Sequence, residues 1–399
     1  MTIALNQVTT IFLSVVLFVL GTVLVKRIGF LQRFCIPAPV VGGLLFAVVA
    51  TILKQLNVLE ITLDTSLQSL FMLTFFTTVG IGASFKLVKL GGKLLVIYWL
   101  ACGFLGLAQN VIAVSLSKVL DINPLIGIMA GLISMEGGHG SATAFGQTIE
   151  EMGVNSALSI GIAAATFGLI AGGLVGGPIV KYLISKYNLK STETDEESNG
   201  EQDSESSAAS GFDSNRFFIQ LLLITFSMAL GTFLGELFSE KTGFVLPSYV
   251  GAMFVAVIVR NIADKINPDI VEMKSVSLIS DVTLGIFLSM ALMSIKLWEL
   301  ADLALPILVI VIFQVVFIVL FGIFVLFRLL GKNYDAAVMV AGFAGHGLGA
   351  TPNAMANMSA VTQKFGPSRK AFLIVPVVGA FLVDVFAMPI IITTINLLK

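Results

Sequence analysis

Two stretches decide the fold: residues 134–146, SMEGGHGSATAFG, and residues 341–353, AGFAGHGLGATPN. Both are apolar but rich in glycine and small polar residues, and they contain the only two histidines of the chain, His139 and His346. Glycines in such number allow positive φ angles and close backbone approach. What these segments do depends on the medium around them, because a broken helix in lipid must satisfy its backbone groups without water.

The composition indicates a membrane protein. Of 399 residues, 57% are apolar and only 12% are charged, whereas about a quarter of the residues of a soluble domain are charged. Ten apolar runs are long enough to cross the hydrocarbon of a bilayer; they lie at about residues 8–25, 37–53, 66–85, 94–117, 155–180, 217–238, 245–262, 276–293, 303–327 and 371–393. The N-terminus, MTIALNQVTT, lacks a basic segment and a convincing cleavage site, so we expect the first helix to be retained.

The two opening stretches lie in longer segments, at about residues 123–150 and 334–363, that lack the bulky aliphatic side chains of a lipid-facing helix. We predict that each segment is a re-entrant hairpin, since broken backbone at membrane depth is tolerated only where protein or a water-filled cavity surrounds it. Packing of small residues between helices also enriches glycine, alanine and serine. Packing alone does not require Pro352 and polar residues beside the glycines, so a binding role is the preferred interpretation.

The distribution of positive charge predicts the orientation. If the loops alternate between the two sides and each hairpin returns to the side it left, 18 of the 23 Lys and Arg residues lie on one side. The positive-inside rule makes that side cytoplasmic. Both chain termini are then periplasmic, and residues 188–215 are cytoplasmic. This central segment carries eight of the 24 acidic residues and little apolar bulk, so we predict a disordered acidic linker.

The sequences on either side of the linker match at a nearly fixed offset. IPAPVVGG begins at residue 36 and LPSYVGAM at residue 246, while SFKLVKL from Ser84 aligns with SIKLWEL from Ser294. Each half contains five crossings, an odd number, so the second half enters the membrane from the opposite face. The predicted fold is an all-α integral membrane protein with two inverted-topology repeats, residues 1–187 and 216–399, each with five transmembrane helices and a re-entrant hairpin. Secondary transporters use this arrangement to alternate access to a midplane site.

The two histidines do not occupy equivalent positions in this duplication. At an offset of 211, His139 aligns with Ala350 and His346 aligns with Met135. The hairpins match as a whole, whereas the shared GHG need not belong to the match. His139 is interpreted either as a proton relay or as a hydrogen-bonded brace of its hairpin. Two histidines, Cys35 and Cys102 supply no tetrahedral metal-binding spacing.

Helices broken at the membrane centre offer binding groups. Free N–H ends attract an anion, and free carbonyl ends coordinate a hard cation such as Na⁺. Neighbouring hydroxyls and amides add hydrogen-bonding groups that distinguish substrates. The predicted substrate-binding residues are Gly137, Gly138, His139, Gly140, Ser141, Thr143, Gly347, Gly349, Thr351 and Asn353.

Acidic residues inside a membrane are costly and are functional by default. Asp384, in the stretch AFLVDVFAMP of the last helix, is the main candidate for a Na⁺ or proton ligand. Glu136 in the first hairpin and Asn357 in the second are further candidates for Na⁺ ligands. Asp281 is interpreted as a helix cap, a salt-bridge partner or a functional acid. Three amides are expected to hold helices together: Gln109, Asn110 and Gln314.

The combined motifs resemble those of the bacterial glutamate:sodium symporter family. The similar segments are IPAPVVGGL, SMEGGHGSATAFG, TFGLIAGGLVGGP, GKNYDAAV, GHGLGATPNAMANM and FGPSRKAFLIVPVVGAFLVD, and together they span essentially the whole chain. The resemblance implies Na⁺-coupled import of L-glutamate, with D-glutamate or analogues as further cargo, by a homodimer in the bacterial inner membrane. It also implies that a substrate-carrying core moves against a static scaffold, an elevator-like form of alternating access. The family pattern, carried over to the two hairpins, does not require a histidine at His346.

Other functions remain open from the sequence. The cargo is alternatively another small carboxylate, such as citrate, malate or aspartate, carried with Na⁺ or protons. A channel would use the hairpins as a filter of carbonyl groups and would need a continuous conduit. A membrane enzyme using His139 lacks a partnering nucleophile or metal set, so no enzymatic activity is expected. Na⁺ is the expected coupling ion, with no organic cofactor and no nucleic-acid partner.

Overall fold

The computed structural model describes residues 2–33, 36–191, 214–267, 269–295, 304–349 and 351–399. Most of the predicted acidic linker, residues 192–213, lies outside the described residues, and so do Cys35 and the Lys296 end of the motif SIKLWEL. The prediction of a disordered linker therefore stays a prediction.

The first half of the chain forms two short strands and nine helices within the described residues. The strands are β1 (Thr2–Leu5) and β2 (Glu60–Leu63). The helices are α1 (Gln7–Arg27), α2 (Gly29–Arg33), α3 (Ala38–Gln55), α4 (Gln68–Gly82), α5 (Phe85–Val119), α6 (Pro124–Met129), α7 (Leu132–Met135), α8 (Gly138–Glu151) and α9 (Ala157–Tyr187). Helix α5 is kinked at Gly92, where φ is +59°.

The second half contains helices and two π-helical turns among the described residues. The helices are α10 (Ser214–Thr242), α11 (Ser248–Ile266), α12 (Met273–Met293), α13 (Ala304–Leu329), α14 (Tyr334–His346), α15 (Thr351–Phe365), α16 (Arg369–Val377) and α17 (Asp384–Leu398). One π turn, Gly322–Leu326, lies within α13. The other, Val378–Leu382, joins α16 to α17 and is called the π segment below.

The two strands depart from the all-helical prediction. They pair in parallel, with Thr2 beside Glu60 and Leu5 beside Leu63. The Lys54 ammonium at the end of α3 lies 2.8 Å from the Glu60 carboxylate. The hydrogen bond and charge of Lys54 lower the pKa of Glu60 below its ordinary value. This small sheet therefore fastens the start of the chain to the connection that follows α3.

Seven helices of the described chain are long and apolar enough to cross a membrane, so the protein is a multi-pass, predominantly helical membrane protein. They are α1, α3, α9, α10, α12, α13 and the Gly92–Val119 part of α5. The other three predicted crossings are also helical. Helix α4 has only 15 residues, α11 contains Arg260, Asp264 and Lys265, and the last crossing is interrupted by the π segment.

The helices pack into two groups. Helices α1, α3, α4, α10, α11 and α12 pack against one another and form what we call the six-helix bundle. Helices α5 to α9 and α13 to α17 form the hairpin bundle, which contains both predicted hairpins. The main contacts between the two bundles are made by α8 with α12 and by α4 with the π segment.

Glycines set the close spacing of helices in the six-helix bundle. A Cβ atom at Gly42 of α3 would lie 2.0 Å from the carbonyl oxygen of Leu17 in α1. On the other side of the bundle, a Cβ atom at Gly231 of α10 would lie 2.3 Å from the Cα atom of Ala252 in α11. Small residues that let backbones touch are a common means of packing helices in membranes.

We predict that Gly42→Ala lowers the free energy of unfolding by about 1–3 kcal/mol, because the new methyl group overpacks the contact with α1. The measurement is thermal unfolding of the purified protein in detergent. Gly177→Ala is the matched control, since a Cβ atom at Gly177 of α9 meets nothing within 4 Å. Equal melting temperatures for the two variants would contradict this packing.

Candidate functional site

The first predicted hairpin is a helix broken at two glycines, Gly137 and the buried Gly138. Helix α7 ends at Met135, and α8 begins at Gly138, where φ is +59°. This left-handed conformation suits a glycine and is strained for other residues. No side chain caps the start of α8. The first amides of α8 therefore lack partners within the helix and are available to a ligand.

The second predicted hairpin is broken between His346, which ends α14, and Thr351, which begins α15. All thirteen residues of α14 are buried. The Gln109 side-chain amide of α5 donates to the carbonyl oxygen of Gly347 in the break, at 2.7 Å. Gln314 of α13 in turn donates to the backbone oxygen of Gln109, at 2.9 Å. These two amides hold the break in place, as expected from the sequence.

Both breaks line one cavity of about 620 Å³ between the two bundles. The hairpin bundle contributes the stretch from Glu136 to Ser141, then His346, Thr351 and the region from Gly379 to Asp384. The six-helix bundle contributes mainly apolar side chains, among them Phe18, Phe75 and Phe76, together with Asp281. We call this space the central cavity.

Three carboxylates face the central cavity: Glu136, Asp281 and Asp384. Glu136 is 5% exposed, and the described residues offer its Oε1 atom no hydrogen-bond partner. Asp384 follows the π segment and begins α17. Asp281 approaches from α12 in the opposite bundle. Carboxylate oxygens are the ligands that hard cations prefer, so the cavity has the chemistry for a cation.

His139 is fixed by a hydrogen bond. Its Nε2 atom lies 3.0 Å from the Thr166 hydroxyl oxygen of α9. Because the Thr166 hydroxyl donates its own proton to the carbonyl oxygen of Ile162, the imidazole is the donor in this bond. The ring thus ties α8 to α9 while His139 also lines the cavity, the geometry of a brace.

Six of the ten predicted substrate-binding residues line the central cavity, and so do two of the three Na⁺ candidates. The first group is Gly137, Gly138, His139, Gly140, Ser141 and Thr351, and the second is Glu136 and Asp384. Thr143, Gly347, Gly349, Asn353 and Asn357 are not part of the lining.

The residues off the cavity have contacts of their own. Asn353 donates to the carbonyl oxygen of Leu169 in α9 at 3.0 Å. Asn357 donates to the carbonyl oxygens of Gly172 and Ala341, at 3.0 and 3.3 Å. These amides tie α15 to α9 and α14.

Sequence analysis missed several residues of this site. Phe75 and Phe76 of α4 form an aromatic wall of the cavity, but in the sequence they look like part of an ordinary apolar helix. Gly379 is also part of the lining, and a Cβ atom there would lie 2.8 Å from the Thr351 hydroxyl oxygen and 3.0 Å from Nδ1 of His346. The Trp99 indole donates to the carbonyl oxygen of Leu382 in the π segment at 2.6 Å. Of these residues, only Gly379 had a sequence signal, because it follows Gly168 by 211 residues, the offset at which the two halves of the chain match.

We predict that Asn357→Ala costs about 1–3 kcal/mol of stability, because it removes the two buried hydrogen bonds that tie α15 to α9 and α14. Thermal unfolding in detergent measures this loss. The Na⁺ concentration that half-maximally stabilises the protein should stay at the wild-type value, since the side chain lies off the cavity. A large increase in that concentration with normal folding would instead identify Asn357 as a Na⁺ ligand.

Comparison with known proteins gives a consistent result. Residues 3–367 match the model of the family described as sodium/glutamate symporter. The chain is 39% identical over 382 residues to the sodium/glutamate symporter of Escherichia coli strain K12, covering 96% of this chain and 95% of that protein. It is 40% identical over 378 residues to the sodium/glutamate symporter of Haemophilus influenzae, covering 94% and 93%.

Proposed function

The chain belongs to the sodium/glutamate symporter family, and from this premise we propose that it carries glutamate into the cell by symport with Na⁺. The proposal rests on the central cavity, which is lined by two broken helices and by three carboxylates, of which Glu136 is buried. Such a cavity serves a solute and a cation together. Transport then requires no chemical change of the cargo, as expected for a family of symporters.

The Na⁺ site of this proposal is formed around Asp384, with Glu136 as a second ligand. Both side chains line the cavity, and the described residues provide neither with a salt bridge. The π segment that precedes Asp384 interrupts the regular hydrogen bonding of the helix, which makes carbonyl oxygens available at the same depth. An ion held by carboxylates and carbonyl oxygens is the usual arrangement for a hard cation.

The glutamate site of this proposal lies at the start of α8. The free amides at Gly138, His139 and Gly140 point from a helix N-terminus, which favours a carboxylate. The hydroxyl groups of Ser141 and Thr351 are further donors on the same cavity. Among the residues that the structure describes, no lysine or arginine lines the cavity. Bound Na⁺ therefore supplies the positive charge that the cavity lining does not provide for the anion. Binding of Na⁺ and binding of glutamate then depend on each other.

The proposed architecture consists of two inverted-topology repeats, residues 1–187 and 216–399, which the acidic linker at residues 188–215 joins. Matching pairs of helix contacts in the two halves support this architecture. Helix α1 packs against α3 as α10 packs against α11, and α3 contacts α12 as α11 contacts α4. Helices α8 and α9 pack together, as α15 and α16 do. Each broken-helix segment is then a re-entrant hairpin that enters from its own side of the membrane.

In the proposed mechanism, the hairpin bundle is the moving core and the six-helix bundle is the static scaffold. The sparse contacts between the bundles support a sliding interface. With periplasmic termini, the cavity lining from Pro37, Val79 and Asp281 lies toward the cytoplasm. At the opposite, periplasmic end of the cavity, the two bundles touch. Asn396 of α17 accepts a hydrogen bond from the Val245 amide at 2.7 Å, and the Thr148 hydroxyl lies 3.4 Å from the Tyr249 hydroxyl. The described conformation is then the inward-facing one.

A homodimer in the bacterial inner membrane completes the proposal. The outward faces of α1 and α10 support it, because they carry exposed apolar side chains such as Phe12, Phe218 and Phe226. These faces belong to the scaffold of the proposed mechanism, so a dimer through them would leave each core free to move.

We predict that the purified protein, reconstituted in liposomes, concentrates radiolabelled L-glutamate only when an inward Na⁺ gradient is imposed. Proton and K⁺ gradients are the controls. Uptake of citrate, malate or aspartate without glutamate uptake would show that the protein is a transporter with a different cargo. Flux that neither saturates nor exchanges with internal glutamate would indicate a channel.

We also predict that Asp384→Asn raises the Na⁺ concentration for half-maximal uptake at least about tenfold, since one charged ligand of the ion is lost. Asp281→Asn is the comparison, because it makes the same change on the opposite wall. Its Na⁺ requirement should remain close to that of the wild type. An Asp384→Asn variant with unchanged Na⁺ dependence would remove Asp384 from the ion site.

A further inference from the structure

His346 is a buried group whose ring nitrogens have no partner among the described residues. It is 2% exposed, and within that part of the chain neither Nδ1 nor Nε2 has a hydrogen-bond partner. A buried polar group left unpaired costs about 1–3 kcal/mol, and most such groups in folded proteins are paired. His346 lines the central cavity. A ligand bound in the cavity can therefore supply the missing hydrogen-bond partner of His346.

The other lining groups leave few donors for an anion. Glu136, Asp281 and Asp384 are acceptors when ionised. The Nε2 proton of His139 is committed to Thr166. Among the lining residues, His346 is thus the side chain that can offer an uncommitted N–H group.

His346 and Thr351 place two hydrogen-bonding groups side by side. A Cβ atom at Gly379 would lie 3.0 Å from Nδ1 of His346 and 2.8 Å from the Thr351 hydroxyl oxygen, so both groups border the space that this glycine leaves open. The ring belongs to the end of α14, whose backbone is held by the Gln109 bond to Gly347. The position of His346 is therefore fixed from two sides, by a rigid helix and by the glycine of the π segment.

We infer that His346 donates a hydrogen bond to a carboxylate of the cargo and so sets the affinity of this transporter for dicarboxylate substrates. The inference rests on the proposed function, since it assigns a residue to the glutamate site. With Thr351, His346 forms the second anchor of the anion, opposite the amides at the start of α8. Na⁺ bound at Asp384 does not require the imidazole.

The test compares His346→Phe, His346→Leu and His346→Gln in liposomes at saturating Na⁺. The first two should fold, because they replace an unpaired polar group by an apolar one. They should raise the KM for L-glutamate at least about tenfold, the loss typical of one hydrogen bond to a charged group. His346→Gln should keep most of the affinity, since its amide retains an N–H donor. The Na⁺ concentration that half-maximally stabilises the protein without glutamate should stay unchanged in all three variants.

Tyr98→Phe is the matched control. It also removes a buried hydroxyl without a partner, beside Phe343 of α14, but Tyr98 is not part of the cavity lining. Its KM should equal that of the wild type. A KM for His346→Phe within about twofold of the wild type, or a matching shift in the Na⁺ requirement, would overturn the inference.

Failure of the proposed function gives a different pattern. If the wild-type protein binds no glutamate, the same variants are compared by thermal stabilisation with citrate, malate and aspartate. Weaker stabilisation of His346→Phe by the carboxylate that the wild type does bind supports the inference. Equal stabilisation of both proteins by that carboxylate overturns it.

Discussion

The fold depends on satisfying the backbone where two helices break inside an apolar interior. An unpaired amide or carbonyl group at that depth costs several kcal/mol, because no water is present to bond it. At the second break a side-chain amide from a neighbouring helix meets this requirement, since Gln109 of α5 donates to the carbonyl oxygen of Gly347. Asn353 and Asn357 of α15 donate to the carbonyl oxygens of Leu169 and Gly172 in α9, and so hold α15 beside that helix. The amides at the start of α8 are left without such partners, which is why this position is suited to an anion.

The same constraint explains the composition of the two bundles. Helix α14 is buried on all sides, and it consists largely of alanine, glycine, valine and methionine. Only 22% of the apolar span of α1 is buried, and bulky side chains of this helix point outward. A helix surrounded by protein needs small residues for close packing, whereas one that faces lipid gains from large apolar surface. The two helices therefore differ in burial although both are apolar.

Much of this was predictable from the sequence, for identifiable reasons. Helix length, apolar runs and glycine-rich breaks follow directly from local composition, and the predicted breaks at residues 134–146 and 341–353 both line the cavity. What could not be predicted is which polar residue faces inward. Asn357 and Ser141 look alike as hairpin residues, yet one is tied to two carbonyl oxygens and the other lines the cavity. The strand pair and the π segment depend on contacts between distant parts of the chain, so local patterns did not reveal them.

In the proposed mechanism, transport requires the hairpin bundle to move against the six-helix bundle. The most direct test cross-links Val245→Cys to Asn396→Cys with a short thiol-reactive reagent, in a chain whose Cys35 and Cys102 are replaced by serine. The two native residues are hydrogen-bonded across the closed end of the cavity, at 2.7 and 3.0 Å. We expect cross-linking to abolish glutamate uptake, while Na⁺-dependent glutamate binding to the solubilised protein persists. Each single-cysteine variant should still transport after treatment with the reagent. Uptake at the full rate by the cross-linked protein would show that transport does not require this movement.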